Sequence, residues 1–180
     1  MIYRGYKEIR QLYSEEGTDQ VLYDSLLKKI YPTLNDYDFN DADALILTRP
    51  LRDYVNDSKK YVNKFERYIS DNFNKVFWKR HPREEGIYQF GNKTEVVEID
   101  NSIPAEVLLP YFSKRDVVVM SITASVLPAK ALNIKCTVID FDGLYEESLN
   151  CNSRYRPPSK DEMKEIYDKF LEDNYNLINV

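Results

Sequence analysis

Residues 116–121 read DVVVMS. Four apolar residues follow the aspartate with nothing polar between them. A strand with one wet face alternates apolar and polar side chains, whereas an unbroken apolar run suits a strand covered on both faces. Burial on both faces is the habit of a parallel sheet packed between helices. Working outward, the same character returns in ALILT at 44–48, KVFWK at 75–79 and KCTVID at 135–140, and more weakly in TEVVEID at 94–100.

Helical spacing fills the intervals. In 55–73, Val55, Tyr61, Val62, Phe65, Tyr68, Ile69 and Phe73 share roughly one helical face. IPAEVLLPYFSK at 103–114 is predicted as a helix with Ser102 as N-cap, Pro104 tolerated in its first turn and Pro110 kinking or ending it. ASVLPAKAL at 124–132 is a short helix, and 159–175 is a closing helix that opens on a capping box of Ser159 and Glu162. Residues 1–35 are helical in two stretches punctuated by Gly17 and Pro32, and NDYDFNDAD is a loop. The predicted fold is α/β: a single Rossmann-like, doubly wound parallel sheet of about five strands with flanking N- and C-terminal helices. Residues 1–40 are expected to be a helical extension or linker, and 41–180 the sheet domain.

Composition narrows the function. The 180 residues are 43% hydrophobic, enough for one domain with a real core. The net charge of −5 and pI near 5.1 argue against a nucleic-acid partner. Cys136 lies in an apolar run and is expected to be a buried, reduced thiol; Cys151 sits in a polar loop, and the two suggest neither a disulfide framework nor a zinc site. The N-terminal residues lack the apolar core of a secretory signal, and VVVMSITASVL is too short to span a bilayer. The expected location is the cytoplasm, with peripheral attachment at the inner membrane as a variant.

In such a sheet, ligands bind beyond the carboxyl ends of the strands. The residues predicted there are Arg49-Pro50-Leu51-Arg52-Asp53, then Arg80-His81-Pro82-Arg83, then Asp100-Asn101-Ser102, then Ser121-Ile122-Thr123-Ala124-Ser125, then Asp142-Gly143. Cations, the only histidine and several hydroxyls share one edge, which suits an anion. Thr123 and Ser125 stand where a helix is predicted to begin, so backbone N–H groups face the same spot, although Ser and Thr also cap helices with no ligand present. His81 before a proline is equally an ordinary turn residue. Asp140-Phe141-Asp142-Gly143 has the D-x-D form that holds a diphosphate through a divalent cation, and it is also a simple strand-end turn. No metal site is assigned.

A strand ending in KRHP, a following IPAEVLL helix and a strand running into SITAS resemble the nucleotide-binding half of bacterial sialyltransferases. The order and spacing are similar to the lipooligosaccharide sialyltransferase family (glycosyltransferase family 52) and its polysialyltransferase relatives, over about residues 44–143. The resemblance implies the C-terminal, donor-binding half of a two-domain GT-B enzyme. It implies transfer of sialic acid from CMP-sialic acid to a surface glycan such as lipooligosaccharide or capsule, without a cofactor. By the same resemblance, His81 meets the CMP phosphate and acts as general acid, Pro82 fixes the turn, and Lys79 lies beside the nucleotide. Glu106 reaches the ribose hydroxyls. Ser121, Thr123 and Ser125 share the role of the phosphate-binding serine motif, and Ser102 completes the donor-binding set. The base toward the acceptor hydroxyl is Asp53, with Asp57 as runner-up. One domain of this size lacks the acceptor-binding half, so the expectation includes a fragment that is inactive alone, or one that forms a homodimer. Two other readings stay open: a non-catalytic α/β binding domain, and a transferase for a nucleotide-diphosphate sugar that would use Asp140 and Asp142.

Overall fold

The computed structural model describes residues 19–120, 129, 132, 134–151, 156–171 and 174–180. Helix α1 (Asp19–Ile30) and two 3-10 turns lead into β1 (Ala44–Leu47). Then come α2 (Lys59–Asn72), β2 (Lys75–Lys79), β3 (Glu95–Glu98), the short α3 (Ala105–Leu108) and β4 (Asp116–Met120). The chain continues through β5 (Cys136–Asp140), α4 (Leu144–Leu149), α5 (Lys160–Phe170) and β6 (Tyr175–Asn179). The six strands among the described residues are all parallel, in the order β3-β2-β1-β4-β5-β6. This is a Rossmann-like order, with its switch point between β1 and β4.

The apolar runs explain the layers. Successive strand side chains point to opposite faces. Ala44, Ile46, Val76, Trp78, Val118 and Met120 therefore pack with Tyr61, Val62, Phe65 and Ile69 of α2. Leu45, Leu47, Phe77, Val117, Val119 and Val138 pack on the other face with Val107 and Leu108 of α3 and Met163 and Tyr167 of α5. Cys136 is buried in that second layer as a free thiol, and burial pushes its pKa up to about 12. Leu27, Leu34 and Phe39, upstream of the first strand, join the same layer. In α2, Tyr61, Phe65 and Ile69 form an i, i+4 ridge, and all three are at most 1% exposed. Burying each of the larger apolar side chains contributes about 1.5–3 kcal/mol. The helix ends where Phe73 turns extended and gives its N–H to Ile69 O.

Three expectations need correction. The closing helix stops at Phe170, and the residues after it form a sixth strand paired with β5 from Cys136↔Tyr175 to Asp140↔Asn179. Met163, Tyr167 and Leu171 keep helical spacing up to that point, which hides the change of period. The 103–114 helix is α only over Ala105–Leu108 and tightens to 3-10 over Leu109–Phe112. Pro110 has no N–H to return to the preceding turn, so the α pattern cannot propagate. Ser102 is not the N-cap: Pro104 holds that position, and the Ser102 N–H donates to Asp100 Oδ1 at 2.7 Å. The Ser159–Glu162 capping box is present in both directions. The helix predicted at 124–132 lies mostly outside the described residues.

Candidate functional site

The carboxyl end of β2 carries the site's central turn. Lys75–Lys79 is a covered strand between β1 and β3, and it runs out at Arg80. His81-Pro82-Arg83-Glu84 then forms a β-turn closed by Glu84 N–H to His81 O at 2.8 Å. Pro82 occupies the second position, where its fixed φ suits such a turn. The Arg83 N–H donates to His81 Nδ1 at 3.1 Å. A ring nitrogen that accepts is unprotonated, so the neutral imidazole carries its proton on Nε2. Burial lowers the pKa of His81, and the neighbouring charges of Arg83, Arg49 and Lys79 lower it further against a smaller opposing effect of Asp53. His81 is thus a half-buried, neutral N–H donor in a positive field.

The surrounding residues hold this turn. The Asp53 carboxylate pairs with the Arg83 guanidinium at 2.9 Å, linking the end of β1 to the end of β2. Arg52 pairs with Glu85 and donates to Arg83 O at 3.3 Å. Arg80 lies over the Trp78 ring at 4.4 Å, donates to Gly86 O at 3.2 Å and pairs with Glu98 at 3.0 Å. Glu84 is buried and accepts from Gly86 N at 2.7 Å and Tyr88 Oη at 3.1 Å. Burial raises its pKa against those two hydrogen bonds and the charges of Arg80 and Arg52. A Cβ at Gly86 would lie 2.7 Å from Glu84 Oε1, so only glycine gives its N–H to the carboxylate without displacing it. Tyr88 and Phe90 pack on Trp78 with ring centroids at 4.9 and 5.3 Å, which fastens the rest of the loop to the sheet.

Lys79 stands just before this turn and is only 5% exposed. Its Nζ donates to Asn101 Oδ1 at 3.0 Å and to Asn101 O and Arg80 O at 3.3 Å. Burial lowers its pKa, while Asp100, Glu98 and Glu106 pull it back up. All three ammonium donors meet protein oxygens, so Lys79 ties the end of β2 to the turn after β3. Asp100 accepts from Ser102, whose hydrogen bonds hold the Asp100 carboxyl below the usual range. Asp57 is exposed and accepts from the Lys59 N–H at 3.1 Å, at the start of α2. At the end of β5, Asp140 is half-buried with its pKa raised by burial, and Asp142 is exposed.

The structure therefore brings His81, Pro82, Asp53, Lys79, Ser102 and Glu106 to one carboxyl rim. Asp57 caps a helix start instead. Ser121, Thr123 and Ser125 lie outside the described residues. Glu84 and Asn101 were not singled out from sequence. For Glu84 a signal existed in its E-x-G spacing, which lets a carboxylate reach the glycine N–H two residues on.

The family model described as Alpha-2,8-polysialyltransferase (POLYST) matches residues 5–140, well over half of the chain. The chain belongs to this family. Neither the curated proteins nor the solved structures yield a match. Membership carries a glycosyltransferase activity of the sialyltransferase type, with a nucleotide-sugar donor and a glycan acceptor. The matched span covers β1 to β5 and every residue of the His81 rim. Among the described residues, no helix is long and apolar enough to cross a membrane.

Proposed function

We propose that this polysialyltransferase-family domain binds CMP-sialic acid at the carboxyl rim of its sheet and transfers the sialyl group to a surface glycan such as a lipooligosaccharide or a capsule chain. The observation that carries the reading is the posture of His81, a neutral imidazole whose Nδ1 is taken by the Arg83 N–H, in the positive field of Arg83, Arg49 and Lys79. A phosphate monoanion is the complement of that arrangement.

The bond from the anomeric carbon to the CMP phosphate breaks with its electron pair going to phosphate, leaving an oxocarbenium-like centre. His81 Nε2–H stabilises or protonates the departing oxygen, and the guanidinium groups offset its charge. The acceptor hydroxyl attacks the opposite face and loses its proton to Asp53, whose carboxylate Arg83 keeps oriented toward the rim. Lys79 positions the strand end, Glu106 meets the ribose, and Ser102, Ser121, Thr123 and Ser125 supply hydroxyls. Calorimetric titration tests the donor. CMP is expected to bind without metal and more tightly than UDP, and His81→Ala is expected to weaken CMP binding about 10- to 150-fold, the equivalent of one charge-assisted hydrogen bond. Tighter binding of UDP that depends on Mn²⁺ would sink the reading and return attention to Asp140 and Asp142.

A further inference from the structure

The turn after β3 is held from outside the sheet. Ile99 gives its N–H to Trp78 O at 2.8 Å, so the next N–H, that of Asp100, points away from β2. Among the described residues no strand lies on that side of β3. The acceptor comes instead from upstream of the first strand: the Tyr37 hydroxyl takes the Asp100 N–H at 2.9 Å. We infer that Tyr37 is a positioning residue of the donor rim, which sets, through Asp100, the turn that anchors Lys79 and leads to Glu106. The inference rests on the proposed CMP reading and adds a residue that acts on the rim through others.

The hydroxyl is a fixed point. Tyr37 closes the 3-10 turn Pro32–Asp36 and gives its N–H to Leu34 O at 3.4 Å. Leu34 and Phe39, on either side of it, are buried in the core layer beneath the sheet. Its ring stacks with Phe39 at 5.8 Å and meets Phe77 edge-on at 6.0 Å, and Phe77 lies two residues before Lys79 on β2. Arg115 clamps the same segment by donating to Phe39 O and, at 2.7 Å, to Asn40 O. From Asp100 the path to the rim is short. The Asp100 carboxylate accepts from the Ser102 N–H at 2.7 Å, and its carbonyl accepts from the Ile103 N–H at 3.1 Å, which closes the turn. Asn101, inside that turn, supplies two of the three oxygens on Lys79 Nζ. The chain then runs through Pro104 into α3, which carries Glu106. Without the hydroxyl, the Asp100 N–H has no protein acceptor and must turn toward water. Asn101 turns with it, and Lys79 loses the anchor that fixes the strand end before His81.

The test compares wild type with Tyr37→Phe, which keeps the ring packing and removes the hydroxyl. CMP affinity by calorimetry is expected to fall about 3- to 10-fold, the range of one neutral hydrogen bond. The melting temperature is expected to drop by no more than about 4 °C. Limited acylation of amines, read by mass spectrometry, reports the anchor with no ligand present. Modification of Lys79, normalised to the exposed Lys114, is expected to rise several-fold as the turn opens. Asp43→Ala loosens the opposite end of the sheet and is expected to leave Lys79 as protected as in wild type. A rise there would reduce the effect to general loosening and overturn the inference. Asn101→Ala removes the side-chain link to Lys79. Tyr37→Phe/Asn101→Ala is expected to bind CMP within about two-fold of Asn101→Ala alone, because both changes act along one path. Additive losses overturn the inference, as does Tyr37→Phe with either Lys79 modification or CMP affinity unchanged. Failure of CMP to bind wild type overturns the donor reading instead, and Lys79 modification in Tyr37→Phe still decides whether Tyr37 sets the rim.

Discussion

The two ends of the sheet are both crowded with charge, yet they treat it in opposite ways. At the amino end, Lys75 reaches Asp41 at 2.8 Å and Glu95 at 3.0 Å, and Asp43 Oδ2 accepts the N–H groups of Asn74 and Lys75. There the hydrogen bond from Lys75 lowers the pKa of Asp41, and its counterpart raises that of Lys75. Each group is pushed further into its charged form. At the carboxyl end the less buried Asp100, Arg52 and Glu85 behave in the same way, but for the more buried groups the directions reverse: Lys79 and His81 are lowered and Glu84 is raised, with burial as the largest cause each time. Each of these three groups is pushed toward neutrality, and the sheet's stability carries the cost. Charge that satisfies itself holds a fold together. Charge held against its preference is characteristic of sites that await a ligand or move protons.

The strongest way to break this contrast is to remove a carboxyl-end group and find nothing lost but stability. His81→Ala and Asp53→Asn are each expected to cut sialyl transfer by about 10²- to 10⁴-fold, the usual weight of a general acid or base, with the melting temperature nearly unchanged. Turnover and thermal melts on the same preparations decide it, and parallel losses in both would assign these residues to the scaffold. Glu84→Ala comes next. It leaves the Gly86 N–H and the Tyr88 hydroxyl without their acceptor in a buried place, at a cost of about 1–3 kcal/mol for an orphaned group. Chemical denaturation should show that loss together with weaker CMP binding, because the loop that follows the His81 turn loses the carboxylate that anchors it. At the amino end, Asp43→Ala removes a carboxylate that accepts two backbone N–H groups and is expected to cost about 1.5 kcal/mol, while CMP affinity per folded molecule stays constant.

The smallest effect is a pH dependence. The folded-state pKa of His81 lies below its ordinary 6.5, so between those two values the unfolded chain binds a proton that the folded chain does not. Stability conferred relative to His81→Gln is therefore complete above pH 6.5 and falls as the pH drops through the window down to the folded pKa. Denaturation midpoints for the two proteins across that range should converge or cross on acidification. A difference that grows instead would mean that His81 is charged in the native site.

Legibility followed burial. The runs of β1, β2, β4 and β5 could be read because covered strands are mostly apolar through their middle, and β3, with Glu95 and Glu98 exposed, by its paired valines. β6 could not, because Asn176 and Asn179 break up its apolar residues and it follows directly on a helix with good periodicity. The rim was readable as a place, since Rossmann-like sheets put ligands at strand ends, and His81 was found because it is the only imidazole. Its partners were not readable. Asp53 and Arg83 meet across two strand ends, and no local spacing marks that meeting. Glu84 and Glu85 are adjacent and identical, yet one is buried under Tyr88 and the other pairs with Arg52 at the surface. Which is which depends on how the loop folds over Trp78.

One more consequence belongs to β3, the strand at one end of the sheet order. Among the described residues its outer backbone groups have no neighbouring strand, and such an edge invites a second molecule to add its own strand and seed aggregation. The edge is four residues long, and two of them are the exposed Glu95 and Glu98. Their carboxylates would face those of an incoming copy, so the edge is guarded. Glu98 has a second engagement through Arg80, which lies over Trp78 beside the His81 turn. Colloidal behaviour and the order of the His81 turn are thus tied to one side chain, and a Glu98→Val protein should be recognised first by its turbidity at high concentration.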